Sequence, residues 1–391
     1  MRKQRDFLWL NVCTLLVSTV GSSHGTLLPV YTTRLGAGPA ATGYYLALIF
    51  LALSVGTIVG GWLSDRFQRP KVLLIACAAV AFPATWLMGQ TVDIPQLLVM
   101  NVISWGAGGV VLAAVGVLVA LSAGKEERGR AFGVLGLMGG LGAFTGGLIS
   151  GPIVDRWGFT TLFTFTALLI GIIPLVGSRV ENRMVKRERE EVSSVRGPAV
   201  LGRAFLLLFT ASILTQSVSS ESLLLRPLMM DQLGFDATTI SSTAAVGSLF
   251  TVPFPFLMGW LSDRFGRKNL LVLTFLGTTL GTGILLVSTS TWHFWSSSIL
   301  VTSLGASVAL GSALVTDLVP RESVGSAVSL FRATPFIGSV IGFAVTGSMV
   351  QGLGAPLVLI IGVLLSVLAI VLLIPIREPA RGDVVESLST A

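Results

Sequence analysis

Long apolar runs, broken by glycine, proline and clustered charge, dominate this chain. They cover residues 7–31, 43–63, 71–90, 96–120, 131–151 and 160–178, then, after a charged interval, 204–229, 240–261, 270–289, 294–317, 326–350 and 356–376. Each approaches the roughly 20 residues that a helix needs to cross about 30 Å of hydrocarbon. A bilayer core offers the backbone no water, so each crossing segment must satisfy its own hydrogen bonds. Barrel strands of about 9–11 residues are too short to account for these runs. The pattern predicts an all-α membrane protein of twelve transmembrane helices, with one six-helix bundle over residues 1–178 and a second over 204–376. Residues 179–203 form a linker and 377–391 a tail; the mixed-charge stretch 181–194 reads as a surface-lying helix or a flexible connection.

Composition changes this picture little. Of 391 residues, 12% are charged, against about 25% in soluble domains. The net charge of +7 raises the question of a nucleic-acid partner, and the placement of the cations excludes one. Basic clusters fall at every second loop: Arg2, Lys3 and Arg5; Arg66, Arg69 and Lys71; Lys125, Arg128 and Arg130; the 179–203 linker; and Arg264, Arg267 and Lys268. The positive-inside rule then places both termini in the cytoplasm, with basic residues against anionic lipid headgroups. Cys13 and Cys77 lie within apolar runs and behave there as small hydrophobes. The run from Phe7 to Val30 is longer than the apolar core of a signal peptide, so an uncleaved first span is expected.

An internal repeat is the strongest signal. GWLSDRFQR begins at Gly61 and GWLSDRFGR at Gly259, a displacement of 198 residues. With the same offset, Ser22 falls on Ser220, Pro29 on Pro227, and Leu35 and Gly36 on Leu233 and Gly234. Six spans separate the copies, and an even number restores orientation, so the halves are parallel repeats about an axis along the membrane normal. Both copies resemble the G-x-x-x-D-R-x-G-R loop that members of the major facilitator superfamily carry between their second and third helices. Gly61, Asp65, Arg66 and Arg69 match in the first copy, with Gln68 in place of a glycine; Gly259, Asp263, Arg264, Gly266 and Arg267 match in the second. The resemblance implies a cytoplasmic latch that holds the outward-open state and releases during alternating access. The chain resembles bacterial efflux members of that superfamily, with two departures. Val102 stands where their fourth helix carries an arginine before Gly106, and around Gly146 and Gly147 their G-P-x-x-G-G signature lacks its proline and ends in Ser150 and Gly151.

Ionisable groups within spans are costly and need a reason. Glu221, in the seventh span, is a candidate proton carrier, the alternative being a static pair with Arg226 or a serine. His24 is one residue past Ser23, the register partner of Glu221, so the two are expected to face each other across a cavity between the halves. Arg332 lies about two turns inside the eleventh span and needs an anion: Asp317, Asp65 if the second and eleventh helices pack together as the resemblance implies, or substrate. Asn11, Thr14, Ser18, Ser22 and Thr26 recur every three or four residues, placing a polar stripe on one face of the first helix. Ser212, Gln216 and Ser219 do the same on the seventh, and Asn101 and Trp105 are further cavity candidates. Trp292, His293 and Trp295 read as an interfacial belt.

The expected cavity is lined mostly by small polar and apolar residues, which suits an amphipathic substrate better than a sugar. No Walker A loop, H-E-x-x-H pair or G-x-S-x-G turn is present, and with His24 and His293 the only histidines, neither an enzyme nor a multi-histidine metal site is expected. No cofactor is expected either. These features point to a monomeric secondary transporter in the cytoplasmic membrane that moves a small molecule by alternating access, with proton-coupled export of amphipathic compounds as the leading expectation. Import of small organic anions, favoured if Arg226, Arg332 and His24 converge on one cavity, and a membrane sensor without transport are the alternatives.

Overall fold

The computed structural model describes residues 2–123, 127–181, 202–251, 253–320 and 323–376, and of residues 2–4, 253, 255, 256, 259, 260 and 263 the backbone alone. Most of the expected linker (182–201) and the whole tail lie outside the described residues. The first half comprises α1 (Arg2–Arg34), α2 (Pro39–Phe67), α3 (Pro70–Met88), α4 (Ile94–Ser122) and α5 (Arg128–Ser178). The second comprises α6 (Arg203–Gln232), α7 (Ala237–Thr251), α8 (Pro253–Phe265), α9 (Arg267–Leu285), α10 (Thr291–Thr302), α11 (Ser307–Leu318), α12 (Val324–Phe331), α13 (Thr334–Leu353) and α14 (Ala355–Leu373).

Eight stretches are long and apolar enough to cross a membrane by length and composition alone. The difference from twelve has local causes. α5 contains two spans, because Gly158 adopts φ 79°, ψ 174° and turns the chain between them. α7 and α8 are each too short to count, and together they make one span. α1 and α6 fall short in hydropathy because they carry polar and charged side chains such as His24, Gln216 and Glu221. α10 and α11 are joined by a 3-10 turn, Ser303–Ala306, into one span. α12 and α13 form another, broken at Arg332 and Ala333 just ahead of Pro335, whose ring disfavours a continuous helix. The chain is thus a multi-pass, all-α membrane protein with twelve spans in two parallel-repeat bundles.

Positive φ repeats along with sequence, although ψ differs between Gln68 (24°) and Gly266 (152°). The described residues with positive φ fall in three pairs: Gly36 at 88° with Gly234 at 81°, Gln68 at 54° with Gly266 at 83°, and Gly158 at 79° with Gly354 at 80°. Two lysines also play matching parts. Lys71 donates to the carbonyls of Ser178 and Val180, and Lys268 to those of Ile374 and Ile376, each satisfying the open C-terminal end of its half's last helix.

Helices pack through small residues. Gly142 and Gly146 of α5 lie against the carbonyls of Leu15 and Thr19, leaving no room for a Cβ, and Gly56 and Gly109 do the same between α2 and α4. The outer faces stay apolar: α14 exposes Leu357, Ile360, Leu364 and Val371 at helical spacing, a surface for which lipid is the solvent.

Candidate functional site

A cavity of about 680 Å³ lies between the halves, walled chiefly by α1, α4, α6 and the facing ends of α7, α10 and α13. Ser18, Ser22, Trp105, Gln216, Ser219 and Arg226 line it as expected, and so does His24. Ser219 and Arg226 are seven residues apart and hence on one face of α6, two turns from each other. Phe50, Trp105 and Phe343 form an aromatic row that crosses from one half to the other, with ring centroids 5.3 Å apart for Phe50 and Trp105 and 4.8 Å for Phe50 and Phe343.

His24 is buried, with Nε2 2.9 Å from Thr166 Oγ1 and its ring edge-on to Phe163. Its Nδ1 has no hydrogen-bond partner. Arg226 is 4% exposed and has no hydrogen-bond or ion-pair partner among the described residues.

Four expectations need correction. Glu221 does not face His24 across the cavity. It sits on the other side of α6, two residues or about 200° from Ser219, with its carboxyl against Gly362 of α14 and its Oε1 without a partner. The static pair with Arg226 is absent too. Asn101 is fully buried and donates to the Tyr45 hydroxyl, holding α4 to α2 rather than lining the cavity. Arg332 is exposed at the α12–α13 break and pairs with neither proposed acid: Asp317 accepts from Arg267 at 2.7 Å, and Asp65 has no ion pair among the described residues. The stripe on α1 is divided. Ser18, Ser22 and Thr26 reach the cavity, whereas Asn11 and Thr14 turn back onto the carbonyls of Phe7 and Leu10.

The halves meet at the end of the bundle remote from the N-terminus. There Gly43 of α2 and Gly347 of α13 pack backbone to backbone, and Ser348 donates to the Tyr44 hydroxyl at 3.0 Å. Gly147 and Gly151 of α5 pack on Ala245 and Ala237 of α7, and the Gly151 amide donates to Ser241 at 3.1 Å. Asp155, at the end of the fifth span, accepts from the amides of Ala237 and Thr238 at 2.9 and 2.8 Å and from the Thr238 hydroxyl at 2.6 Å. Asp236 takes the next amide, Thr239, and the hydrogen bonds from Thr239 hold its carboxyl below the ordinary aspartate value. The first three amides of α7 are therefore capped by two carboxylates, one from each half. Arg34 approaches Asp231 at 3.6 Å nearby.

At the opposite end, the side chains of Asp65, Arg66 and Arg69 are exposed, Gly61 has open space where a Cβ would be, and Arg267 holds Asp317 and the Ala313 carbonyl within its own half. Arg264 is also exposed; the side chain of Asp263 and the surroundings of Gly259 lie outside the described residues. Sequence reasoning missed Asp155. Its signal was an acid beside Arg156 in a loop, and its partner amides are 82 and 83 residues away in the other half.

Comparison with known proteins agrees with this geometry. The chain is 27% identical over 262 residues to the multidrug resistance protein MdtG of Salmonella choleraesuis (strain SC-B67), covering 63% of this chain and 64% of that protein, and matches the MdtG of Salmonella typhimurium (strain LT2) to the same extent. The alignment thus spans just under two thirds of the relatives' length. In structure it resembles the nucleoside transporter NupG, with TM-score 0.80, 16% identity and coverage of 95% of this chain and 98% of that one. It also resembles a bacterial homologue of the human lysosomal transporter Spinster in an inward-facing, occupied conformation, with TM-score 0.74, 14% identity and coverage of 95% and 96%. The Major Facilitator Superfamily model matches residues 10–225 and again 208–388. Twin parallel bundles around a shared cavity and two family matches covering nearly the whole length give one conclusion: this chain belongs to the major facilitator superfamily.

Proposed function

We propose that this protein is a proton-coupled exporter of amphipathic compounds in the cytoplasmic membrane, working as a monomer by alternating access, with both termini in the cytoplasm. The observation that carries the reading is a cavity walled by both halves of one chain, with an aromatic row on one side and a closure of breakable cross-half contacts at one end. The alternation of basic loops makes the closed end the outer one, so the described state is inward-facing. The moving bodies are residues 1–178 and 204–376, joined by 179–203. The loops at 61–69 and 259–267 then act as the latch of the opposite state, which fits the exposure of Asp65 here. The multidrug resistance named for MdtG supports efflux.

Glu221 is the proton site of choice. Its carboxyl is buried at the α6–α14 contact, and no cation holds it. Its helix also carries Ser219 and Arg226, so a small rotation of α6 would link proton loading to the cavity. His24 is the second candidate. In proteoliposomes, an outward-directed flux of an amphipathic compound should follow an imposed pH gradient, and Glu221→Gln should reduce gradient-driven flux at least tenfold while sparing exchange. Unchanged gradient-driven flux in that variant would remove Glu221 from coupling, and flux indifferent to the gradient in wild type would remove the proton. Import of organic anions is the second reading, favoured by Arg226 and His24 sharing the cavity; uptake driven inward in the same vesicles would select it.

A further inference from the structure

Among the described residues, Arg226 is the only formally charged side chain on the cavity wall, and no aspartate or glutamate lines it. Its nearest acids along the chain do not neutralise it. Glu221 lies roughly 7.5 Å further along the helix axis and about 140° around it, turned onto Gly362. Asp231 faces Arg34. A guanidinium presents five donors in a planar fork, and here every one lacks a protein acceptor among the described residues. An intramembrane charge that faces a cavity and has no counter-ion is satisfied by water or by a ligand, and an oxyanion head can replace that water with paired acceptors. On the same wall stand Gln216 and Ser219, with amide and hydroxyl donors, and the row of Phe50, Trp105 and Phe343.

We infer that the cavity selects amphipathic anions, with Arg226 clasping a carboxylate or other oxyanion head through paired N–H donors while the aromatic row holds the apolar body. The inference rests on the transport reading above and narrows it: the same positive charge disfavours the lipophilic cations that an acidic cavity would attract. Fork geometry matters, so lysine at this position would keep the charge and lose the paired hydrogen bonds.

The test is fluorescence binding to the full chain in nanodiscs, with empty nanodiscs subtracted, using 11-(dansylamino)undecanoate, its primary amide and the matching trimethylammonium compound. The carboxylate should bind at least tenfold more tightly than the amide, and the ammonium most weakly. Arg226→Gln should weaken the carboxylate about 30-fold and leave the amide unchanged; Arg226→Lys should fall between. Without ligand, Arg226→Gln should melt no lower than wild type, since it removes an uncompensated charge. If that variant does not fold, the head-group ranking in wild type and the loss in Arg226→Lys decide the matter. Nanodiscs of phosphatidylcholine, with and without phosphatidylglycerol, separate the sources of the head: displacement of the probe by the anionic lipid assigns the site to a lipid headgroup, and no displacement assigns it to a soluble anion. Equal affinity for carboxylate and amide, or a carboxylate affinity indifferent to Arg226→Gln, would overturn the anion subsite while leaving the transport reading intact. Failure of all three probes to bind, with no flux in proteoliposomes, would overturn both.

Discussion

The two ends of the bundle contain similar chemistry in opposite conditions. At the end remote from the N-terminus, Asp155 reaches across the halves and takes three donors at the start of α7, between glycine contacts that bring backbones together. At the other end, Asp65 sits in a motif found twice in the chain and touches no cation among the described residues. The conspicuous aspartate is idle in this state, and the inconspicuous one is engaged. Under the alternating access proposed above, contacts that break in each cycle need to be individually modest. A cap of two amides and one hydroxyl, which water can replace when the halves separate, meets that requirement better than a buried ion pair.

That contrast can be broken most forcefully at Gly147. A leucine there would drive α5 away from the Ala245 backbone of α7, and overpacking of this kind costs about 1–3 kcal/mol or more. Spin labels on Thr161→Cys and Gln232→Cys, with Cys13 and Cys77 replaced, should then report a longer separation across the remote end. A distance distribution identical to that without the leucine would show that the glycine contact does not hold this end shut. Asp155→Ala should act in the same direction and less strongly. Loss of a helix cap costs about 1–2 kcal/mol, close to a tenfold change in the closed population by the same labels. A purely local effect, lowering thermal stability with no change in the label distances, would make Asp155 a structural cap and nothing more.

The smallest expected effect sharpens the other side. Gln68 closes α2 in the left-handed conformation, φ 54° and ψ 24°, whereas its counterpart Gly266 sits at φ 83° and ψ 152°, a region essentially restricted to glycine. Gln68→Gly should relieve about 1 kcal/mol of strain and raise the melting temperature slightly, while Gly266→Gln should lower it. If neither changes stability, the two motif loops differ less than their backbones indicate.

Much of the architecture was legible along the chain because a bilayer imposes its demands on each segment separately. Every span must be long, apolar and hydrogen-bonded within itself, so the runs over 43–63, 71–90 and 96–120 foretold α2, α3 and α4, and the 198-residue offset that put Gly36 on Gly234 returned as a positive φ at both. Periodicity along one helix also placed Ser18 with Ser22, and Gln216 with Ser219, on the cavity face. Which neighbour each remaining face meets depends on helix rotation and on chain segments far away, and no local pattern encodes that. Tertiary packing therefore decided that Glu221 faces Gly362, that Asn101 serves Tyr45, that Arg332 lies at a helix break, that Asp155 caps the opposite half, and that Arg226 is left with no acid beside it.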